Sequence, residues 1–291
     1  MVNHIHLDLV GGLSGDMFIS SMLDAFPQFK KGLAQVIVDA GFPDLVELET
    51  LDHDDGTLTG TRFTVTAIDQ EGHHHHRHYR EIEDRLQGSN LDTMTRDNAL
   101  EIFRLIAEVE AAIHGKKVED VAFHEVGAWD SIADIVLAAH LIASVGADSW
   151  SISAIPAGSG FVETAHGRLP VPAPATARLL EGFELLDDGL EGERVTPTGA
   201  AIIKFLSPQR RLPPGLMLEG TGYGFGRKVF PGISNTVRVA SLTVSKADLP
   251  WTQDQVMRLS FELDDQTPES IADALERLRA LDGVVEVTQH A

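Results

Sequence analysis

The chain opens on a strict alternation of polar and apolar residues. His4-Ile5-His6-Leu7-Asp8-Leu9 has the period of a half-buried strand, with Asp8 near its C-terminal end. A glycine-rich turn, Gly11-Gly12-Leu13-Ser14-Gly15-Asp16, comes next. Beyond it Met17, Phe18, Met22, Leu23 and Phe26 recur at helical spacing until Pro27 stops the run. The pattern then predicts a helix over residues 29–40, closed by Gly41, and two strands over 46–53 and 59–68 joined through the hairpin signal Asp54-Asp55-Gly56. Residues 70–78 have no apolar period and predict a loop. Helices are predicted over 79–87 and 96–113, the second carrying Leu100, Phe103, Ile106 and Ile113 on one face and ending at Gly115. A third, over 131–144, buries Ile132, Ile135, Val136, Ala139 and Ile142, with Asp130 placed as its cap and Gly146 as its stop.

From about residue 150 to 240 the texture changes to short strands punctuated by Gly and Pro, as in Ala154-Ile155-Pro156, Arg168-Leu169-Pro170-Val171-Pro172 and Gly220 to Gly226. Helices are predicted here over 173–181 and over 199–206, after Thr196-Pro197-Thr198. The end of the chain reads strand (257–263), helix (268–281), strand (283–288), which is half of a β-α-β-β-α-β unit. The expected fold class is therefore α/β (α+β). It comprises an N-terminal α/β metal-handling unit over 1–148 with the His-rich loop 70–78, a loop-rich α/β unit over 149–245, and an incomplete ferredoxin-like segment over 250–291. Half a sheet exposes strand edges, so a homo-oligomer or a C-terminal partner polypeptide is expected to cover them.

Composition narrows the chemistry. With no cysteine among 291 residues, disulfides, thiolate zinc sites, iron–sulfur clusters and thiol nucleophiles are excluded, and a bound metal must use nitrogen and oxygen ligands. The 23 Lys and Arg against 44 Asp and Glu give a formal charge of −21, which repels nucleic acid and anionic membranes. No apolar run is long enough to span a bilayer, and no cationic start with an apolar stretch marks a secretory signal, so a cytoplasmic protein is expected. The unusual count is histidine, 13 in all, five of them within residues 73–78.

Four segments carry candidate chemistry. The first is the opening turn, where Asp8 and Asp16 flank glycines beside Ser14 and Gly15. Two aspartates suit a cation, or a cation bridging to phosphate, and a tight turn capped by Ser14 or Asp16 is the alternative. The second is the run His73, His74, His75, His76 and His78, whose imidazoles suit Ni, Zn or Cu. A solvated loop without function is its alternative. The third is Phe123-His124-Glu125-Val126-Gly127-Ala128-Trp129-Asp130-Ser131-Ile132-Ala133-Asp134. Asp130 and Asp134 lie one helical turn apart, and His124 and Glu125 arrive from the preceding loop. Asp134 interrupts an otherwise apolar run, which a merely solvated face does not explain. The fourth joins His166 and Arg168 to Thr196, Thr198 and Gly199, a helix start that can hold phosphate through hydroxyls and N–H groups, with Arg168 neutralising it. Loop architecture accounts for the same glycines. Gly222-Tyr223-Gly224-Phe225-Gly226-Arg227 reads as a lid or a turn and receives no role.

Taken together, these segments resemble the nickel-insertion proteins of nickel-pincer nucleotide assembly, the LarC family. The resemblance rests on Leu13-Ser14-Gly15-Asp16-Met17, the His73–His78 run, Phe123 to Ala128 with Asp130 to Val136, Gly158-Ser159-Gly160-Phe161-Val162, Ala165 to Thr176, Val195 to Ala201 and Gly222-Tyr223-Gly224. It covers about residues 4–240. It implies a nickel chelatase, or cyclometallase, of the lyase class that inserts Ni²⁺ into a pyridinium bisthiocarboxylate mononucleotide and forms nickel–carbon and nickel–sulfur bonds. It implies CTP hydrolysis and Mn²⁺ or Mg²⁺ as further requirements. Family members continue through a fuller C-terminal domain associated with nucleotide binding, of which this sequence shows the first β-α-β.

On this reading His124, Glu125, Asp130 and His166 are the catalytic candidates. Ser14, Gly15, Arg168, Thr196, Thr198 and Gly199 are the nucleotide-binding ones. The metal candidates are Asp8, Asp16, His73, His74, His75, His76, His78, His124, Asp130 and Asp134. Two other functions share the motifs: a nickel chaperone or store without catalysis, and a metal-dependent phosphohydrolase using Asp8, Asp16, His124 and Asp130.

Overall fold

The computed structural model describes residues 4–68, 77–123, 126–164, 167–244 and 267–279. The chain divides into two compact units, Met1–Ser245 and Lys246–Ala291. In the first, the strands are β1 (His4–Asp8), β2 (Val46–Asp54), β3 (Thr59–Ala67), β4 (Arg77–His78), β5 (Ala122–Phe123), β6 (Ser149–Ile152), β7 (Ile155–Pro156), β8 (Phe161–Thr164), β9 (Gly167–Pro170), β10 (Leu185–Leu186), β11 (Leu216–Phe225) and β12 (Thr236–Val244). Its helices are α1 (Gly15–Ala25), α2 (Leu33–Asp39), α3 (Tyr79–Gln87), α4 (Thr93–His114), α5 (Trp129–Val145), α6 (Pro174–Leu179) and α7 (Pro197–Leu206). Among the described residues of the second unit stands one helix, α8 (Pro268–Arg279), where the sequence predicts it. The strands predicted at 257–263 and 283–288 lie outside the described residues.

The architecture is α/β. Six strands form a mixed sheet in the order β2-β3-β11-β12-β1-β6. β1 pairs antiparallel with β12 and parallel with β6, so strands from both sides of residue 148 share this sheet. The alternation read in β1 sets its two faces. Ile5 and Leu7 are fully buried under the helices, and Asp8, on the opposite face, pairs with Arg238 at 2.5 Å.

Helix α1 lies against β3, β11 and β12 because β11 offers it glycine. A Cβ on Gly222 would stand 2.1 Å from the Ala25 nitrogen, and one on Gly224 2.3 Å from that of Ser21. The segment that reads as a lid or turn is therefore the end of a strand, with glycines on the helix-facing side.

α5 is apolar nearly all round, as a helix enclosed by others must be. It packs on α1, α2, α4 and α7. Both α4 and α5 end at left-handed glycines, Gly115 and Gly146. Two expectations shift. The helix predicted over 29–40 is divided into a single 3₁₀ turn, Pro27–Lys30, and α2, because Gly32 takes φ of 107° between them. The cap of α5 is Ala128 rather than Asp130, which sits in the first turn and accepts from the Ser131 N–H at 2.8 Å. There it still complements the helix dipole. No helix among the described residues is long and apolar enough to cross a membrane.

Candidate functional site

Two loops far apart in sequence are laced together to build the site. Leu13 bridges Val195 in parallel. Its N–H donates to the Arg194 carbonyl at 2.9 Å, and its carbonyl accepts from the Thr196 N–H at 3.0 Å. This pairing sets the starts of α1 and α7 side by side. Gly199 makes the approach feasible, since a Cβ there would lie 2.2 Å from the Leu13 carbonyl oxygen. Thr196 caps α7 by accepting from the Gly199 N–H at 3.2 Å. Gly15 lets α1 meet α5 in the same way, with its missing Cβ 2.7 Å from Asp134 Oδ2.

A cavity of about 360 Å³ opens where α1, α5 and α7 begin and where the chain leaves β11. One wall is acidic, made by Asp16 of α1 and by Asp130 and Asp134 of α5. Asp16 Oδ1 is held by the Ser14 hydroxyl and by the Met17 N–H, the latter at 2.9 Å. Asp134 differs. Its Oδ1 is buried and has no hydrogen-bond partner among the described residues. Burial, then repulsion from Asp16 and Asp130, pushes the Asp134 carboxyl well above the usual carboxylate range, against an opposing pull from Arg227. The lining also includes Glu193, Arg194, Arg227 and Lys228 together with Thr196 and Thr198, and Arg227 is close enough to Asp134 to act on it.

Arg194 has a separate task. It is 3% exposed, and its Nη1 grips the Asp188 carboxylate at 2.6 and 2.9 Å. Its Nε and Nη2 donate to the carbonyls of Gly11 and Val10 at 2.8 and 2.9 Å. Burial would raise the Asp188 carboxyl, but the guanidinium and the loop N–H groups hold it below its ordinary value. Arg194 therefore fixes the opening loop, and Arg227 and Lys228 are the other cations that line the cavity, Lys228 donating to the Glu193 carbonyl at 3.3 Å.

The structure brings Ser14, Gly15, Asp16, Asp130, Asp134, Thr196 and Thr198 to one cavity. Gly199 stands behind it. Asp8 does not line it, because strand alternation turns its side chain to the other sheet face. Arg168 does not line it either; it lies on the β8–β9 hairpin with its guanidinium 4.1 Å from the Phe161 ring centre. His78 is exposed on β4. His73, His74, His75, His76, His124, Glu125 and His166 lie outside the described residues.

Pairing near those residues is informative. β4 and β5 are antiparallel, with Arg77 opposite Phe123. Arg77, within the His73–His78 run, is thus paired with the residue that precedes His124 in sequence. Arg77 also ties this ribbon to the start of α5, donating to the Gly127 carbonyl at 2.5 Å and stacking 3.8 Å over Trp129.

Among the described residues no three His, Asp or Glu side chains converge as a ready metal cage. The three aspartates share a cavity with an unsatisfied oxygen, which suits a hard divalent cation recruited with its ligand. Arg194, Arg227 and Lys228 escape the sequence reading; the signal available was Arg227, which ends the glycine-alternating motif.

The sequence profile of a family described as "Nickel insertion protein" matches residues 5–290. A protein from a Geobacter species is 43% identical over 277 residues, covering 94% of this chain and 69% of the relative. One from Geobacter sulfurreducens is 40% identical over 286 residues, 95% of this chain and 70% of the relative. Both are named "Putative nickel insertion protein". A third, from Staphylococcus saprophyticus, is named pyridinium-3,5-bisthiocarboxylic acid mononucleotide nickel insertion protein; it is 35% identical over 282 residues, 96% of this chain and 68% of the relative. No solved structure matches the chain.

Proposed function

We propose, from the premise that this chain belongs to the nickel insertion protein family, that it inserts Ni²⁺ into a pyridinium bisthiocarboxylate mononucleotide within the cavity between α1, α5 and α7. One observation carries the placement: the buried, unpartnered Asp134 oxygen beside Asp16 and Asp130, in a cavity that Arg227 and Lys228 also line. A cavity of two polarities suits a reaction whose substrates are a cation and an anionic nucleotide.

Nickel is a substrate here. The reaction replaces a ring C–H bond by a carbon–nickel bond, so the ring proton must leave to a base while two thiocarboxylate sulfurs bind the metal. Carboxylate oxygens of Asp16, Asp130 and Asp134 hold the entering cation, and Asp134 or His124 takes the proton. The histidines of residues 73–78 collect nickel, and Arg77 among them is tied to the residue before the α5 cap, donating to the Gly127 carbonyl. A resident Mg²⁺ or Mn²⁺ would find its oxygen donors in the same carboxylate wall and would supply positive charge for an anionic nucleotide. CTP use, a C-terminal partner, self-association and a cytoplasmic setting complete the proposal.

The test is cofactor formation, followed by mass spectrometry, from precursor, Ni²⁺ and Mn²⁺ or Mg²⁺, with and without CTP. Metallated product is expected from the wild type, and Asp134→Ala should lower its rate roughly 100-fold or more. No product under any condition, including added C-terminal partner, refutes insertion. Full nickel loss on deleting residues 73–78 would instead favour a store.

A further inference from the structure

Helix α5 supplies two of the three cavity carboxylates, Asp130 and Asp134, yet its start is weakly secured by its own residues. Its cap is Ala128, whose side chain offers no acceptor to the free N–H groups of the first turn. Asp130 accepts from the Ser131 N–H inside the turn itself, which fastens it to nothing outside the helix.

The hold comes from elsewhere. Arg77 Nη1 donates to the Gly127 carbonyl at 2.5 Å, and its guanidinium lies 3.8 Å from the centre of the Trp129 ring. Arg85 sets a second guanidinium 5.2 Å from the same ring, and Phe42 packs against it with ring centres 5.1 Å apart. Arg85 is itself anchored on the Gly41 carbonyl at 2.8 Å. The turn before α5 is pressed onto the β4–β5 ribbon, since a Cβ on Gly127 would stand 2.6 Å from the Phe123 carbonyl oxygen and 3.3 Å from the Arg77 nitrogen. The segment held in this way is an edge of the cavity, which Val126, Asp130, Ser131 and Asp134 all line.

We infer that Arg77 is a positioning residue for metal insertion: by clamping Gly127 and Trp129 it fixes the first turn of α5, and with it the carboxylates of Asp130 and, one turn on, Asp134. It acts through the helix and not on the substrate. Arg77 stands among the histidines of residues 73–78, so the segment that gathers nickel also braces the site that uses it. Without the clamp the first turn frays, and a displacement of about 1 Å in a reacting group can cost roughly 100-fold in rate. The part played in insertion rests on the nickel-insertion reading; the clamp on α5 does not.

The experiment replaces side chains in the full chain, because deleting residues 73–78 would remove Arg77 together with the histidines. Cofactor formation is followed against nickel concentration in the wild type, in Arg77→Ala, in Arg77→Lys, and in a variant with His73, His74, His75, His76 and His78 all changed to Gln. Hydrogen exchange over residues 126–134 is measured on the same proteins by mass spectrometry. Arg77→Ala should lower the maximal rate about tenfold or more even at saturating nickel, whereas the histidine variant should raise the nickel concentration at half-maximal rate. Arg77→Lys keeps a cation for Trp129 and a donor for Gly127, so it should recover part of the rate, and it serves as the test if Arg77→Ala does not fold. Exchange over 126–134 should quicken about tenfold in Arg77→Ala. An undiminished maximal rate in Arg77→Ala, or a loss that added nickel restores, overturns the inference. Unchanged exchange over 126–134, or exchange that quickens equally throughout α4, overturns it too, the latter by marking a general loss of stability. A wild type that never metallates, with exchange responding as expected, would sink the insertion reading and leave the clamp on α5 standing.

Discussion

At Asp134 a carboxylate sits on a helix whose neighbours Ile132, Ala133, Ile135 and Val136 are fully buried. Its raised pKa has a definite sign in stability. Below the ordinary carboxylate pKa, Asp134 is protonated both folded and unfolded and contributes nothing. As pH rises past that value the unfolded chain ionises first, so the folded state is progressively penalised until its own carboxyl ionises. Asp134→Asn should therefore stabilise the protein by about 1 kcal/mol at neutral pH, and the gain should fade as pH drops toward 4. Thermal melts of both proteins across that range check it; a pH-independent difference would contradict the assignment. Asp134 was legible in the sequence because a charge breaking an apolar helical run is conspicuous. Arg194 was not, because its partners Val10 and Gly11 lie 184 and 183 positions away.

Periodic segments gave up their structure at the level of the element. β1, the β2–β3 hairpin, α1, α4 and α5 follow the apolar spacing, and Gly115 and Gly146 end their helices as expected. Glycine-rich stretches were harder, because a glycine that serves close packing looks like one that serves a turn. The β11 glycines belong to the first kind, and so does Gly199 in α7. Gly199→Ala would drive a Cβ into the Leu13 backbone and separate the starts of α1 and α7. Backbone cannot yield as a side-chain tip does, so the variant should lose about 2 kcal/mol or more. Urea unfolding measures that loss, and an unchanged midpoint would show that the two helix starts are not held as described.

Across the whole molecule, the sheet gathers strands from both halves of the first unit, and this convergence is what assembles the cavity. Single motifs could nominate Asp16, Asp130, Asp134, Thr196 and Thr198, yet only the fold shows that they share one space and that Asp8 and Arg168 do not. Carboxylates and cations lining one cavity imply that nucleotide and metal reinforce each other, since each neutralises side chains that the other leaves charged. Nickel titration of the wild type and of Asp134→Asn, each with and without the pincer precursor, tests this most directly. Precursor should tighten nickel binding by about tenfold in the wild type, and Asp134→Asn should abolish that gain while leaving the binding due to residues 73–78 in place. A precursor effect that survives in Asp134→Asn, or nickel binding indifferent to precursor in the wild type, would contradict a reaction centre in this cavity.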